Sequence, residues 1–252
     1  MQRLRHELRY VLTAFAYFTR LPMPRLPCTP ADLAACARHL PLVGWVVGAL
    51  GAAVLSVAAQ RLPMSVAVGL SMAATVLVTG AFHEDGLADC CDGFGGGYTR
   101  DDVLRIMRDS RIGAFGAIGL VLVLGLKWQL LSALPTAQAA WLSLGAHAVS
   151  RGAALSFLLS HPYARETGKA QALTKGFGPG ALLWATVLAL PALLWPDWRA
   201  GIAVAAALLG LRLVLGRWFM RRLGGYTGDC LGMAQQLFEL TMYLVMAAWT
   251  GF

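Results

Sequence analysis

Seven stretches of this chain are apolar almost from end to end: roughly residues 39–60, 63–83, 112–134, 136–160, 180–195, 199–219 and 231–251. About 20 such residues, wound as a helix, cross the ~30 Å hydrocarbon core of a bilayer. Inside lipid every backbone N–H and C=O must be satisfied within the protein, and a helix does this unaided. The expected fold is therefore all-α, a polytopic membrane helical bundle of about seven transmembrane helices. The sixteen-residue run 180–195 is the shortest of them. Composition agrees: 58% of the 252 residues are hydrophobic and 13% charged, against about 25% charged in soluble domains.

The first twenty residues differ. Arg3, Arg5 and Arg9 alternate with Leu4, Leu8, Val11, Leu12 and Phe15, which gives one apolar face. Such a segment is expected to lie in the membrane interface as an amphipathic helix over 1–20. A cleaved signal peptide is disfavoured, because Arg20 and "LPMP" stand where small residues are needed.

Charge fixes the orientation. With the N-terminus in the cytoplasm and the spans alternating, sixteen Lys and Arg fall inside and only Arg61 and Arg199 outside. That bias satisfies the positive-inside rule. It also accounts for the net charge of +8 without nucleic acid as a partner. Residues 1–252 read as a single integral membrane domain, with no linker, and its long polar loops, 83–113, 161–180 and 220–230, face the cytoplasm. None of the five cysteines forms a Cys-x-x-Cys pair, so neither disulfides nor a thiolate zinc site is expected.

Seven of the 13 acidic residues lie between 84 and 109. In "HEDGLADCCDGFGGG", Asp85, Asp89 and Asp92 follow the 63–83 run at i, i+4 and i+7. If that span continues as helix, the three share a face. Like charges so placed repel unless a cation lies between them, and hard oxygen donors suit Mg²⁺, Mn²⁺ or Ca²⁺. Glu84 lies about 100° away, and His83 reads as a structural histidine. Gly93 and Gly95 to Gly97 then end the helix.

Four other places add polar groups. In "TRDDVLRIMRDSRIG", Thr99 with Asp102 has the spacing of a capping box, and Asp101 suits the positive helix end. Asp109 is a candidate further metal ligand, Arg108 or Arg111 can grip phosphate, and Arg105 reads as an anchor. Arg151 sits inside a span, next to Ser150. The 161–180 loop, with Arg165, Lys169 and Lys175, suits an anionic substrate. "GGYTGDCLG" starts a helix at Gly228 and Asp229, where N–H groups can cradle phosphate. Glu239 lies about 15 Å into the last span and needs a buried partner, for which Arg151 and Arg212 are available.

These parts point to phosphotransfer: carboxylates hold a divalent metal, metal and arginine hold a diphosphate, and an acceptor hydroxyl attacks in line. Two other readings remain. One is a phosphotransferase making phospholipid from a CDP-alcohol. The other is a divalent cation transporter, which would carry its ligands near the bilayer midplane.

"TRLPMP", "PLVG", "HEDGLADCCDGFGGG", "IMRDSRIGAFG", "HPYAR" and "GGYTGDCLG", in this order from about residue 15 to 239, resemble the cobalamin 5′-phosphate synthase (adenosylcobinamide-GDP ribazoletransferase) family. The resemblance implies an inner-membrane, Mg²⁺-dependent enzyme working at its cytoplasmic face. It would join adenosylcobinamide-GDP to α-ribazole or α-ribazole 5′-phosphate and release GMP. It implies metal ligands at Asp85, Asp89, Asp92 and Asp109, with catalytic roles for Asp89, Asp92 and Asp109. Ser110 and Arg111 match the family's second motif as substrate contacts, and the residues read by themselves add Arg108, Arg151, Arg165, Gly228 and Asp229 as candidates. Membrane lipid is the remaining partner, and a homo-oligomer is allowed. A more distant likeness is to the CDP-alcohol phosphotransferases: Asp89 to Gly93 fits their Asp-x-x-Asp-Gly, but "FGGG" follows where Ala-Arg is expected.

Overall fold

The computed structural model describes residues 2–24, 26–166, 168, 171–174, 176–194 and 197–250. Thirteen α-helices succeed one another along the described chain. The first six are α1 (Gln2–Phe18), α2 (Pro30–Cys36), α3 (Leu40–Ala58), α4 (Met64–Thr79), α5 (Phe82–Gly96) and α6 (Arg100–Ile106). Then come α7 (Ala114–Ser132), α8 (Thr136–Ala154), α9 (Phe157–Ser160) and α10 (Gln171–Thr174). The chain ends in α11 (Pro179–Leu194), α12 (Trp198–Leu223) and α13 (Gly228–Thr250). Among the described residues there is no strand, only an isolated bridge between Tyr163 and Tyr226. The fold is all-α, as expected.

Each apolar run is a helix, but not every helix is a full span. Four stretches are long and apolar enough to cross a membrane: Ala31–Ala58, Ala114–Ser132, Thr136–Ser160 and Trp198–Leu223. A fifth counts only if α4 and α5 are taken together, and that pair is bent by 91°. Helix α11 has 16 residues, about 24 Å at 1.5 Å per residue. Helix α13 has 23 residues, but its buried Gln235, Gln236 and Glu239 make it a polar helix of the interior. By length and composition the described residues therefore give four or five spans.

The 63–83 run does not continue as one helix into the acidic motif. Gly80 and Ala81 both adopt left-handed backbone, φ 68° and 58°, and the chain turns there. A Cβ on Gly80 would also collide with Nε of Arg20, and the Arg20 N–H donates to the Val78 carbonyl at 2.7 Å. The "TRLPMP" segment is thus the wedge against which the helix breaks. For Ala81 the left-handed conformation costs about 1–2 kcal/mol.

Helix α1 is tied to the 30–39 segment by ion pairs, Arg9 to Asp32 at 2.6 Å and Arg38 to Glu7 at 2.5 Å. Leu4 and Leu8 on its outer face stay exposed. Since α4, α8 and α12 end, and α7 and α13 begin, at the same end of the bundle, the polar loops gather there.

Candidate active site

Two helices cross closely to build the centre. A Cβ on Gly86 would lie 2.9 Å from the Asp229 carbonyl oxygen, and one on Gly232 would lie 3.1 Å from that of His83. Only glycines allow α5 and α13 to approach so far. The crossing sets Asp85 and Asp89 of α5 beside Asp229 of α13, near enough for each charge to act on its neighbours.

Asp92 is used differently. It is buried, and its two oxygens accept from the N–H of Gly113 at 2.7 Å and of Gly116 at 2.8 Å. Those are free donors at the start of α7, so Asp92 caps that helix from another element. A Cβ on either glycine would collide with the carboxylate, which explains the glycines of "RIGAFG". Asp92 nevertheless lines the same cavity as Asp89.

Asp109 is paired with Arg111, Oδ2 accepting from NH2 at 2.7 Å and Oδ1 from Nε at 3.0 Å. That guanidinium holds the Asp109 carboxyl down at about 2. The capping box of α6 is present: the Asp102 N–H donates to Thr99 Oγ1 at 3.2 Å and the Thr99 N–H to Asp102 Oδ2 at 3.3 Å. The hydrogen bonds from Thr99 hold the Asp102 carboxyl below its ordinary value. Arg108, Asp109, Ser110 and Arg111 form one wall of a cavity of about 450 Å³, and Glu84, Asp85, Asp89 and Asp92 form the other. The acidic motif and the "RDSR" segment therefore do meet.

A second loop pair brings the remaining residues in. The Ala164 N–H donates to the Tyr226 carbonyl at 2.8 Å, and the Tyr226 N–H to the Pro162 carbonyl at 3.0 Å. This pins "HPYAR" to "GGYT" and delivers Arg165 to Asp229, 2.6 Å apart. Lys169 and Lys175 lie outside the described residues. A separate cavity of about 320 Å³ is lined by Asp85, Arg151, Arg165, Gly228 and Asp229, together with Tyr17, Phe18, Phe82 and Tyr163. Asp85 thus borders both cavities. Sequence reading missed these aromatics, since two belong to the interfacial helix and apolar residues are unremarkable in such a chain. It also missed two clamps: Arg100 donates to the carbonyls of Leu223 and Ala164 at 2.9 and 2.7 Å. Arg222 donates to those of Phe94 and Gly97 at 3.2 and 2.6 Å.

Among the described residues no three His, Cys, Asp or Glu side chains are grouped tightly enough to hold a metal ion by themselves. Mg²⁺ seldom needs that, being held by one or two carboxylates plus substrate phosphates. The donor set fits this pattern. Among the described residues no hydrogen bond or ion pair engages the carboxylates of Asp85 or Asp89, and the buried Glu84 Oε2 has no partner. Asp109 lines the cavity these acids share, in a pair with Arg111, and Asp229 lines the other, in a pair with Arg165.

Deeper in the bundle Glu239 does have a partner, but not the one expected. Lys127 Nζ stands 2.9 Å from Oε1 and His147 Nδ1 3.2 Å from Oε2. Gln235 donates to it at 2.8 Å and Tyr243 at 3.1 Å. Arg212 turns away to Ser156 and Ser160. Arg151 donates to the His147 carbonyl at 3.0 Å. Helix α12 also packs on α13, but its Arg212 points to the junction of α8 and α9, whereas Lys127 of α7 reaches the carboxylate directly. An acid so fully partnered is not a free cation ligand at the midplane.

Fold and site together define a class: a polytopic helical membrane protein with a two-cavity polar site at one end of its bundle. The cobalamin-5-phosphate synthase family profile matches residues 10–247. An adenosylcobinamide-GDP ribazoletransferase of Ralstonia nicotianae is 54% identical over 257 residues, covering 100% of this chain and 99% of its own. That of Ralstonia pickettii is 50% identical, covering 99% of both chains, and that of Leptothrix cholodnii 48%, covering 97% of both. No solved structure matches the chain. The chain belongs to the cobalamin-5-phosphate synthase family.

Proposed function

We propose that this chain is a Mg²⁺-dependent transferase that joins adenosylcobinamide-GDP to α-ribazole, or to its 5′-phosphate, and releases GMP. The observation that carries the site assignment is the unpartnered pair Asp85 and Asp89, facing the arginine-bearing 108–111 wall across one cavity. The full-length relatives carry the substrate assignment through their names.

The acceptor 3′-hydroxyl attacks the cobinamide-side phosphorus. An O–P bond forms there, the bond to the bridging oxygen breaks, and GMP leaves with that oxygen. Asp85 and Asp89 would hold Mg²⁺, which supplies Lewis-acid stabilisation of the diphosphate charge when bound. Arg108 and Arg111 offer guanidinium N–H groups to the phosphate oxygens, and Asp109 steadies Arg111 while it does so. Asp85 and Asp89 together supply the base for the hydroxyl proton, because no donor among the described residues occupies their oxygens. Asp92 holds the start of α7, and with it the 108–113 wall, against α5.

The chain sits in the bacterial inner membrane with this site on the cytoplasmic side, as the arginine bias supports, and with α1 in the interface. The test is turnover by the purified chain in lipid. GMP should appear from adenosylcobinamide-GDP only with α-ribazole or its phosphate and Mg²⁺, and should stop when EDTA is added. CMP release from a CDP-alcohol instead would replace the substrate assignment.

A further inference from the structure

The two cavities share Asp85 and differ in everything else. The larger one is polar and fits a metal and a diphosphate. In the smaller one, Tyr17, Phe18 and Phe82 form an edge-to-face cluster, Tyr17 to Phe18 at 4.8 Å and Phe18 to Phe82 at 5.7 Å between ring centroids. Two guanidinium groups line the same cavity. Arg165 gives Nη2 to Asp229 at 2.6 Å and Arg151 gives Nη1 to the His147 carbonyl at 3.0 Å, leaving Arg165 Nη1 and Arg151 Nη2 with no hydrogen bond among the described residues. Those are the donors that a ligand in the cavity can engage.

A cavity with an aromatic wall and two guanidinium groups holding unspent donors selects a molecule with a flat ring and an anion. Arginine forks match phosphate geometry, and aromatic walls accept any planar base. The volume, about 320 Å³, is at the lower end of the ~300–1,000 Å³ of small-ligand sites. A corrin ring with its side chains exceeds it. We propose that this cavity is the acceptor subsite, taking a ribonucleoside 5′-phosphate with a flat aromatic base. The base lies against Tyr17, Phe18 and Phe82, and the phosphate is read by Arg151 and Arg165. The sugar hydroxyls lie toward Asp85, the wall shared with the diphosphate cavity. The inference deepens the transferase reading and rests on it for the identity of the acceptor. It also gives α1 a task, since Tyr17 and Phe18 end that helix.

The experiment measures equilibrium binding and turnover on the full chain in lipid nanodiscs, with α-ribazole 5′-phosphate, α-ribazole and adenosylcobinamide-GDP as separate ligands. Tyr17→Leu and Phe82→Leu should each raise the Kd of both acceptors about 5- to 100-fold, the range of one lost base–aromatic stack. The Kd of adenosylcobinamide-GDP should not move with them. Arg165→Gln should weaken the 5′-phosphate form about 10- to 100-fold and leave α-ribazole almost unchanged, as loss of a charged hydrogen bond requires. Arg165→Lys should recover part of that loss. In the wild type, α-ribazole 5′-phosphate should protect Arg165 from phenylglyoxal, a readout that needs no variant to fold. Weakened donor binding with intact acceptor binding would reassign the cavity to the donor, and no change for either ligand would end the proposal. A wild-type chain that binds the acceptor in this pattern but releases no GMP would overturn the transferase reading and leave the subsite standing.

Discussion

The molecule holds its acids in two opposite ways. Glu239, deep in the bundle, is enclosed by Lys127, His147, Gln235 and Tyr243. Asp85 and Asp89, at the loop end, border a cavity with no donor from the described residues on their oxygens. The first arrangement is electrostatically finished and serves the fold. The second is open, with carboxylate oxygens free to take a ligand. Asp92 belongs to the same acidic motif as that pair, yet its oxygens are spent on the start of α7. Motif membership alone therefore does not assign a role.

Four sets of substitutions can break or sharpen this contrast. The largest effect belongs to the open pair. Asp85→Asn or Asp89→Asn should lower turnover about 100-fold or more, since metal-assisted charge stabilisation is worth several kcal/mol. The chain should remain folded, and its thermal transition in nanodiscs should not fall. Near-normal GMP release by either variant would remove the metal assignment.

Next is the finished group. Lys127→Met leaves Glu239 buried without its lysine, and should destabilise the chain by about 3–5 kcal/mol. Adding Glu239→Gln to the same chain should restore part of that stability, because the buried carboxylate is then neutral while the nearby Arg151 stays charged. A double variant as unstable as the single one would show that Lys127 does more than neutralise Glu239. Asp92→Ala comes third. Loss of a helix cap costs about 0.5–2 kcal/mol, so a modest drop in thermal stability should accompany reduced turnover. Turnover lost with no change in stability would make Asp92 a ligand first and a cap second.

The smallest effect is expected at Asp109. Its folded carboxyl is held at about 2 by Arg111, below the ordinary value of 3.8. The pairing therefore contributes above about pH 4 and is lost only as pH falls toward 2. Asp109→Asn should leave the acid limb of the pH–rate profile in place above pH 4. A shifted limb would mean that Asp109 titrates above pH 4 and that Arg111 does not hold it down.

Much of this was legible in the residues. Apolar run length marked every helix that could span, Thr99 and Asp102 marked the cap of α6, and the acidic motif with "RDSR" marked one cavity. The misreadings share a cause. The 63–83 run looks continuous, yet Gly80 and Ala81 turn it against Arg20, which is far away in sequence. Glu239 takes Lys127 in place of Arg212, because which side chain of a neighbouring helix faces the carboxylate is not written in either segment. Arg100 and Arg222 look like positive-inside anchors and serve as loop clamps. The aromatic end of the smaller cavity draws on α1 and α5 together, so neither segment announces it.

By itself the sequence determined the class of solvent, the helices and the orientation bias. Those follow from local quantities, transfer free energy and backbone satisfaction within a segment. Which carboxylates are spent and which remain open was decided only in the tertiary structure. A charge has a partner or lacks one according to what other segments bring within about 3 Å of it, and glycine crossings such as Gly86 with Gly232 set those distances.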